Sequence, residues 1–220
     1  MGKLISLNTG RDRAFADSDL GRTAIDKRPV DGPVTVAAPG PRGTRGSSGS
    51  GIVGDWICDQ RHHGGDDQAV YAYGREELDR WERELGRELP NGVFGENLTT
   101  LGLATTDALI GERWRIGPDV VLEVCATRIP CRTFQEWLAE RGWVKRFTQR
   151  ALPGAYLRVI ESGEIRAGDE VTVLSRPDHE VTSGVVFRAL TLEPELLPLL
   201  LDVPQLGSHQ RDHAVRRLTP

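Results

Sequence analysis

With 220 residues, 38% apolar content and a formal net charge of -4, the chain has room for one large domain, or one domain with an appendage, around a core of modest size. A pI near 5.8 gives no global attraction to nucleic acid or to an acidic membrane surface. No apolar run approaches a membrane span and the start MGKLISLN lacks a signal-peptide core, so a soluble cytoplasmic protein without membrane contact is expected.

The first predicted element is a strand over Lys3–Leu7, ended by the turn residues Asn8-Thr9-Gly10. Thr23–Val30 alternates like an edge strand, broken by Pro29 and Gly32-Pro33, and Val34–Val36 resumes it. Residues 39–51 (PGPRGTRGSSGSG) offer nothing to bury and read as a flexible Gly/Ser-rich insertion. Asp59–Gln68 holds paired histidines, paired glycines and carboxylates, a loop in which backbone and imidazole can approach a ligand closely. A hairpin tip is the plain alternative.

Ala69–Tyr73 returns to a strand, and Arg75–Leu85 is a helix with Leu78, Trp81 and Leu85 on one face. Glu76–Arg80 and Arg80–Glu84 are its expected ion pairs. Beyond the turn Pro90-Asn91-Gly92, Gly95 suggests a close backbone approach and Asn97 is a donor for a ligand. Ile110–Gly117 alternates as another strand.

Val120–Val124 is an apolar, β-branched strand, while Phe134, Trp137 and Leu138 mark one face of a helix. Pro130 keeps the helix from starting much earlier, so Cys131 falls where strand hands over to helix, with Arg128 and Arg132 as sequence neighbours. A helix start and nearby cations favour a thiolate, which can serve as nucleophile, sulfur carrier or soft-metal ligand. A small buried hydrophobe is the competing reading. Cys58 and Cys125 lack that setting, and three scattered cysteines argue for reduced thiols.

A short helix over Trp143–Phe147 and strands over Ala155–Ile160 and Asp169–Leu174 come next. From Val181 the pattern turns helical, with clusters at Val185–Leu190 and Leu196–Leu201 and a third helix from Ser208, its expected cap, to Arg217. Many short strands between Gly/Pro turns favour a mainly β (α+β) barrel-like fold over a doubly wound sheet. No dinucleotide, phosphate-loop or HExxH motif and no repeat is present.

Six strings in order then carry a resemblance: Lys27-Arg28-Pro29-Val30; Gly54-Asp55; His63-Gly64-Gly65 with Asp67-Gln68-Ala69; Phe94-Gly95-Glu96-Asn97-Leu98; Arg128 to Cys131; and Gly154-Ala155-Tyr156-Leu157 with Ala167-Gly168-Asp169. Together they resemble a MOSC domain, the fold of the C-terminal part of molybdenum cofactor sulfurases, in its YiiM-type branch. The resemblance implies a MOSC β-barrel over 1–180, with core motifs at 23–177 and the insertion at 39–51, and a short three-helix extension over 181–220. It implies a molybdenum cofactor (molybdopterin), with Cys131 as molybdenum ligand or sulfur acceptor. Lys27, Arg28, His63, Asp67, Asn97, Arg128 and Arg146 are the expected cofactor-binding residues. Lys145 reads better as a solvated surface charge.

The resemblance also implies a molybdenum-dependent oxidoreductase that reduces N-hydroxylated compounds. No flavin, haem or iron–sulfur motif is present, so electrons come from another protein, a reductase or a ferredoxin-like donor. The alternative is a sulfur-carrier or cofactor-binding module with a persulfide on Cys131, charged by a cysteine desulfurase. A zinc site from Cys58, His62 or His63 and an acid is the third reading, although its spacing fits no structural zinc pattern.

Overall fold

In the computed structural model, which describes residues 1–219, the run Val120–Ala126 is buried at every position, as a strand inside a barrel wall must be. The strands in chain order are β1 (Gly2–Gly10), β2 (Arg13–Ala14), β3 (Arg22–Thr23), β4 (Lys27–Pro29), β5 (Val34–Val36) and β6 (Val70–Gly74). There follow β7 (Leu98–Leu101), β8 (Arg113–Ile116), β9 (Val120–Ala126), β10 (Ala155–Glu161), β11 (Gly163–Ile165) and β12 (Glu170–Ser175). Seven of them, in the order β12-β8-β9-β10-β6-β7-β1, form the barrel, closed where Gly2 and Lys3 of β1 pair with Val171 and Glu170 of β12. All barrel pairs are antiparallel except β6 with β7. Closure leaves the sheet without free edges, apart from β4 on the far end of β1.

The helices are α1 (Arg75–Leu85), α2 (Arg132–Leu138), α3 (Trp143–Arg150), α4 (Ser183–Thr191) and α5 (Ser208–Leu218). Helix α1 has the expected bounds but other ion pairs. Arg75 takes Asp79 at 2.6 Å and Glu82 at 2.5 Å, Glu76 accepts the Gly102 amide, and Glu84 pairs with Arg150. Helices α1 to α3 cover an aromatic cluster outside the barrel in which Trp81, Phe94, Phe134, Trp143 and Phe147 meet at centroid distances of 4.5 to 6.4 Å. Such tilted and edge-to-face contacts add to plain area burial.

Residues 39–51 depart from the expectation of a flexible insertion. Ser50 and Gly51 are buried, the Gly51 amide donates to the Ala69 carbonyl at 2.7 Å, and the Gly65 amide donates to the Gly49 carbonyl at 2.9 Å. The side-chain poverty that suggested mobility is what lets this backbone lie on the His63-Gly64-Gly65 loop. Gly64 has φ 75°, and a Cβ there would sit 2.5 Å from the Gly49 oxygen.

Past β12 the helices feed the same interior. Val186 and Ala189 of α4 and Ala214 of α5 belong to the barrel's apolar cluster, while Phe187 enters the aromatic one. The middle segment Pro194–Leu200 is 3-10 rather than α, with Pro198 inside it removing an amide donor. Gly207, not Ser208, is the cap residue of α5, and Asp67 from the distant loop accepts the Ser208 amide at 2.8 Å and its hydroxyl at 3.0 Å. No described helix is long and apolar enough to cross a membrane.

Candidate functional site

Strand β9 ends at Ala126, Thr127–Pro130 turn the chain, and Cys131 stands in extended conformation (φ -130°, ψ 171°) as the residue before α2. The predicted handover from strand to helix is therefore present. Half-buried, Cys131 borders a cavity of about 470 Å³ at one end of the barrel. Tyr71 of β6, Tyr156 of β10, Lys27 of β4, Asn97 before β7, and Arg128 and His63 from loops share its lining.

Arg128 forms part of that wall, 8% exposed. Its Nη1 donates to the Phe94 carbonyl at 2.5 Å, and its guanidinium carbon lies 4.0 Å from the Phe134 ring centre and 5.1 Å from that of Tyr71. Its Nε is buried without a partner, and among the described residues it makes no ion pair. A buried cation held by ring faces and one carbonyl keeps attraction in reserve for an anion.

Lys27 and Asn97 join a buried network centred on Asp55. The Lys27 ammonium pairs with the Asp55 carboxylate, which also accepts from the Gly10 amide at 2.7 Å, Ser50 Oγ at 2.7 Å and Asn97 Nδ2 at 2.9 Å. Asn97 Oδ1 in turn accepts the Tyr71 amide at 3.1 Å. Lys27 thus reaches the cavity with its charge already matched, and Asn97 has both ends of its amide engaged. These two shape the floor.

Among the described residues no hydrogen bond engages the His63 ring, and its pKa is pushed down to about 4, first by burial and then by the Arg128 charge. It is a neutral imidazole at neutral pH, offering one N–H and one acceptor nitrogen. Burial holds Tyr156 above the usual phenol range, so it presents an O–H. Cys58 also lines the cavity, but burial and its hydrogen bond to Asp12, at 3.3 Å, push its thiol up to about 12. Cys125 sits behind the wall, its thiol likewise at about 12 through burial.

Three of the expected cofactor-binding residues lie elsewhere. Arg28 is exposed and bound to Asp26 at 3.0 Å, outside the cavity lining. Arg146 points to Glu140 from α3 at 3.9 Å, also away from the lining. Asp67 links Arg158, at 2.8 Å, to the start of α5. Tyr71, Gln68 and Tyr156 line the cavity although none was named as a site residue from the sequence, Gln68 and Tyr156 standing only within the quoted strings. Gln68 stands beside Asp67 in the Asp67-Gln68-Ala69 string, and of the two only Gln68 is part of the cavity lining.

Among the described residues no three His, Cys, Asp or Glu side chains converge as a metal site. The zinc arrangement is not formed, because Asp59 is hydrogen-bonded to His62 at 2.9 Å and the Cys58 thiol to Asp12.

The family model for the MOSC domain matches residues 59–172. The chain is 31% identical to the uncharacterized protein YflK of Bacillus subtilis, over 81% of this chain and 76% of that protein. It is 30% identical to a protein named as a reductase in Gibberella moniliformis over 93% of this chain, which spans 35% of that longer protein. The crystal structure of YiiM from Geobacillus stearothermophilus superposes with a TM-score of 0.78 at 24% identity, covering all of both chains. Barrel order, the six ordered strings and these matches agree: the chain belongs to the MOSC domain family, with the fold of the YiiM structures.

Proposed function

We propose that the cavity binds a molybdenum cofactor and that the chain reduces N-hydroxylated compounds with electrons from a separate donor protein. The observation that carries this reading is one half-buried thiol, Cys131, on the wall of a cavity whose buried guanidinium, Arg128, keeps an unpartnered Nε. The fit is chemical. A pterin dithiolene brings its own sulfur ligands, so one soft protein ligand is enough, and its phosphate calls for a cation or exposed amides. When bound, the cofactor supplies a two-electron redox centre. The redox class is supported by the likeness to the fungal protein named as a reductase.

Breaking an N–OH bond to give the amine and water takes up two electrons and two protons. The chain's own groups bordering the reaction space are the neutral imidazole of His63 and the phenol of Tyr156, which can hydrogen-bond the departing oxygen and pass protons toward it. Phe134 and Tyr71 fix the guanidinium of Arg128 against the wall, which keeps its orientation for an anionic group. The Lys27–Asp55–Asn97 network holds the floor without releasing charge into it.

The test uses protein made in a host that synthesises the cofactor. Elemental analysis of the wild type should find molybdenum, and benzamidoxime with an artificial one-electron donor should yield the amidine. Cys131→Ser should lose metal and turnover together, by more than about tenfold. Cys58→Ser should retain the metal, since a thiol held near 12 is no thiolate donor. Full molybdenum and full activity in Cys131→Ser would refute the reductase reading. A wild type that binds no metal but takes up a persulfide on Cys131 from a cysteine desulfurase would establish the sulfur-carrier role instead.

A further inference from the structure

A second cavity, of about 170 Å³, opens beside the first and shares His62, His63, Gln68, Arg128, Ile129 and Tyr156 with it. Its outer wall is the C-terminal helix α5, which places His209 and His213, one turn apart, at the exposed rim. The space suits a group the size of a few water molecules.

Among the described residues no Asp or Glu lines this annex. The guanidinium of Arg128 and four imidazoles do, and Arg42, Arg216 and Arg217 stand close enough to lower the pKa of His209 or His213, after burial as the larger cause. The acids acting against them are Asp212, on His209, and Asp59, which is bound to His62. In a chain of net charge -4, this is a local excess of positive charge and N–H donors.

A second observation is independent of charge. Three of the residues that line the annex, Arg128, Gln68 and Thr127, each carry a buried polar side-chain atom (Nε, Oε1 and Oγ1) without a hydrogen-bond partner among the described residues. A buried polar group is costly to leave without a partner. Arg128 and Thr127 can donate to an oxygen, and the Gln68 amide can turn its NH₂ inward to do the same.

We propose that the annex is an oxyanion site that holds a carboxylate or phosphate of the substrate beside the Cys131 cavity, with His209 and His213 as specificity-determining residues. The assignment to substrate rests on the reductase reading, whereas oxyanion binding does not.

The test follows the imidazole NMR signals of the full chain during titration with inorganic phosphate, first without cofactor and then loaded. The cofactor-free chain should show saturable shifts of His63, His209 and His213. The double variant His209→Ala/His213→Ala, changed only at exposed rim positions, should bind phosphate about tenfold more weakly by the His63 signal. Shifts that stay linear with concentration, or an unchanged affinity in the variant, overturn the site. In the loaded chain, retained phosphate binding supports a substrate anion. Its loss on loading assigns the oxyanion to the cofactor's own phosphate and overturns the substrate role. With 4-carboxybenzamidoxime and benzamidoxime as paired substrates, the wild-type preference in kcat/KM for the acid should fall about tenfold in the double variant. If neither compound is reduced, the reductase reading fails while the phosphate titration still decides the site.

Discussion

His63 shows how a residue's setting replaces its solution chemistry. In the unfolded chain its imidazole protonates near 6.5, but in the folded protein burial and Arg128 hold it neutral down to about 4. Between those values the unfolded state binds more protons, so stability must fall as the pH drops from about 6.5 through 4 and change no further from this group below that. The shift bounds the loss at roughly 3 kcal/mol, reduced by the solvent that its partly exposed ring still meets. Urea unfolding of the wild type and His63→Gln between pH 7.5 and 4 checks this. The wild type should lose more stability over that window than the variant, and parallel curves would show that the ring titrates as it does in water.

At the scale of elements, the contact that joins loop to tail is Asp67. Its carboxylate accepts the Ser208 amide and hydroxyl at the start of α5 and pairs with Arg158 on β10. An N-terminal cap contributed from 141 positions away does for α5 what a local Ser or Asp usually does. Asp67→Asn removes the charge and one acceptor at a cost of about 1 kcal/mol. Amide hydrogen exchange within α5 should therefore quicken about fivefold, while amides of β9 keep their wild-type rates. Equal acceleration in both would mean that the tail and barrel open as one unit. Because α5 also forms the outer wall of the annex, the same substitution should loosen phosphate binding there.

For the molecule as a whole, the closed barrel does not complete its own interior. Val186, Ala189, Leu197, Leu200 and Ala214, all from beyond β12, are buried in the barrel's apolar cluster, and Phe187 fills the aromatic one. Four of these six, Val186, Phe187, Leu197 and Leu200, are large apolar side chains whose burial contributes about 1.5–3 kcal/mol each, and domains have only about 5–15 kcal/mol in total. A chain ending at Glu180 loses all six contributions at once. Calorimetry should find no cooperative transition in it, where the full chain gives one; a transition within about 5 °C of the full chain would show a self-sufficient barrel.

Some of this architecture is local and can be read from residue order. Periodicity marked α1 over Arg75–Leu85, β5 over Val34–Val36 and the buried run of β9, and Pro130 placed Cys131 at the start of α2. The alternation of a strand even separates Lys27 from Arg28: adjacent residues point to opposite faces, so one is buried against Asp55 and the other meets solvent. Six short strings in order carried the resemblance to the family, which the family model then matched over residues 59–172. The rest depended on contacts between distant segments. Whether residues 39–51 are loose or packed depends on the glycines of another loop lying against them. Whether Asp67 meets a ligand or a helix start depends on where α5 docks. Arg128 differs from the other arginines of the chain only once Tyr71, Phe94 and Phe134, each on a separate segment, close around it. Periodicity and turn chemistry are properties of neighbours along the chain, whereas the charge, burial and unmet hydrogen bonds of a cavity arise between segments that only the closed barrel brings together.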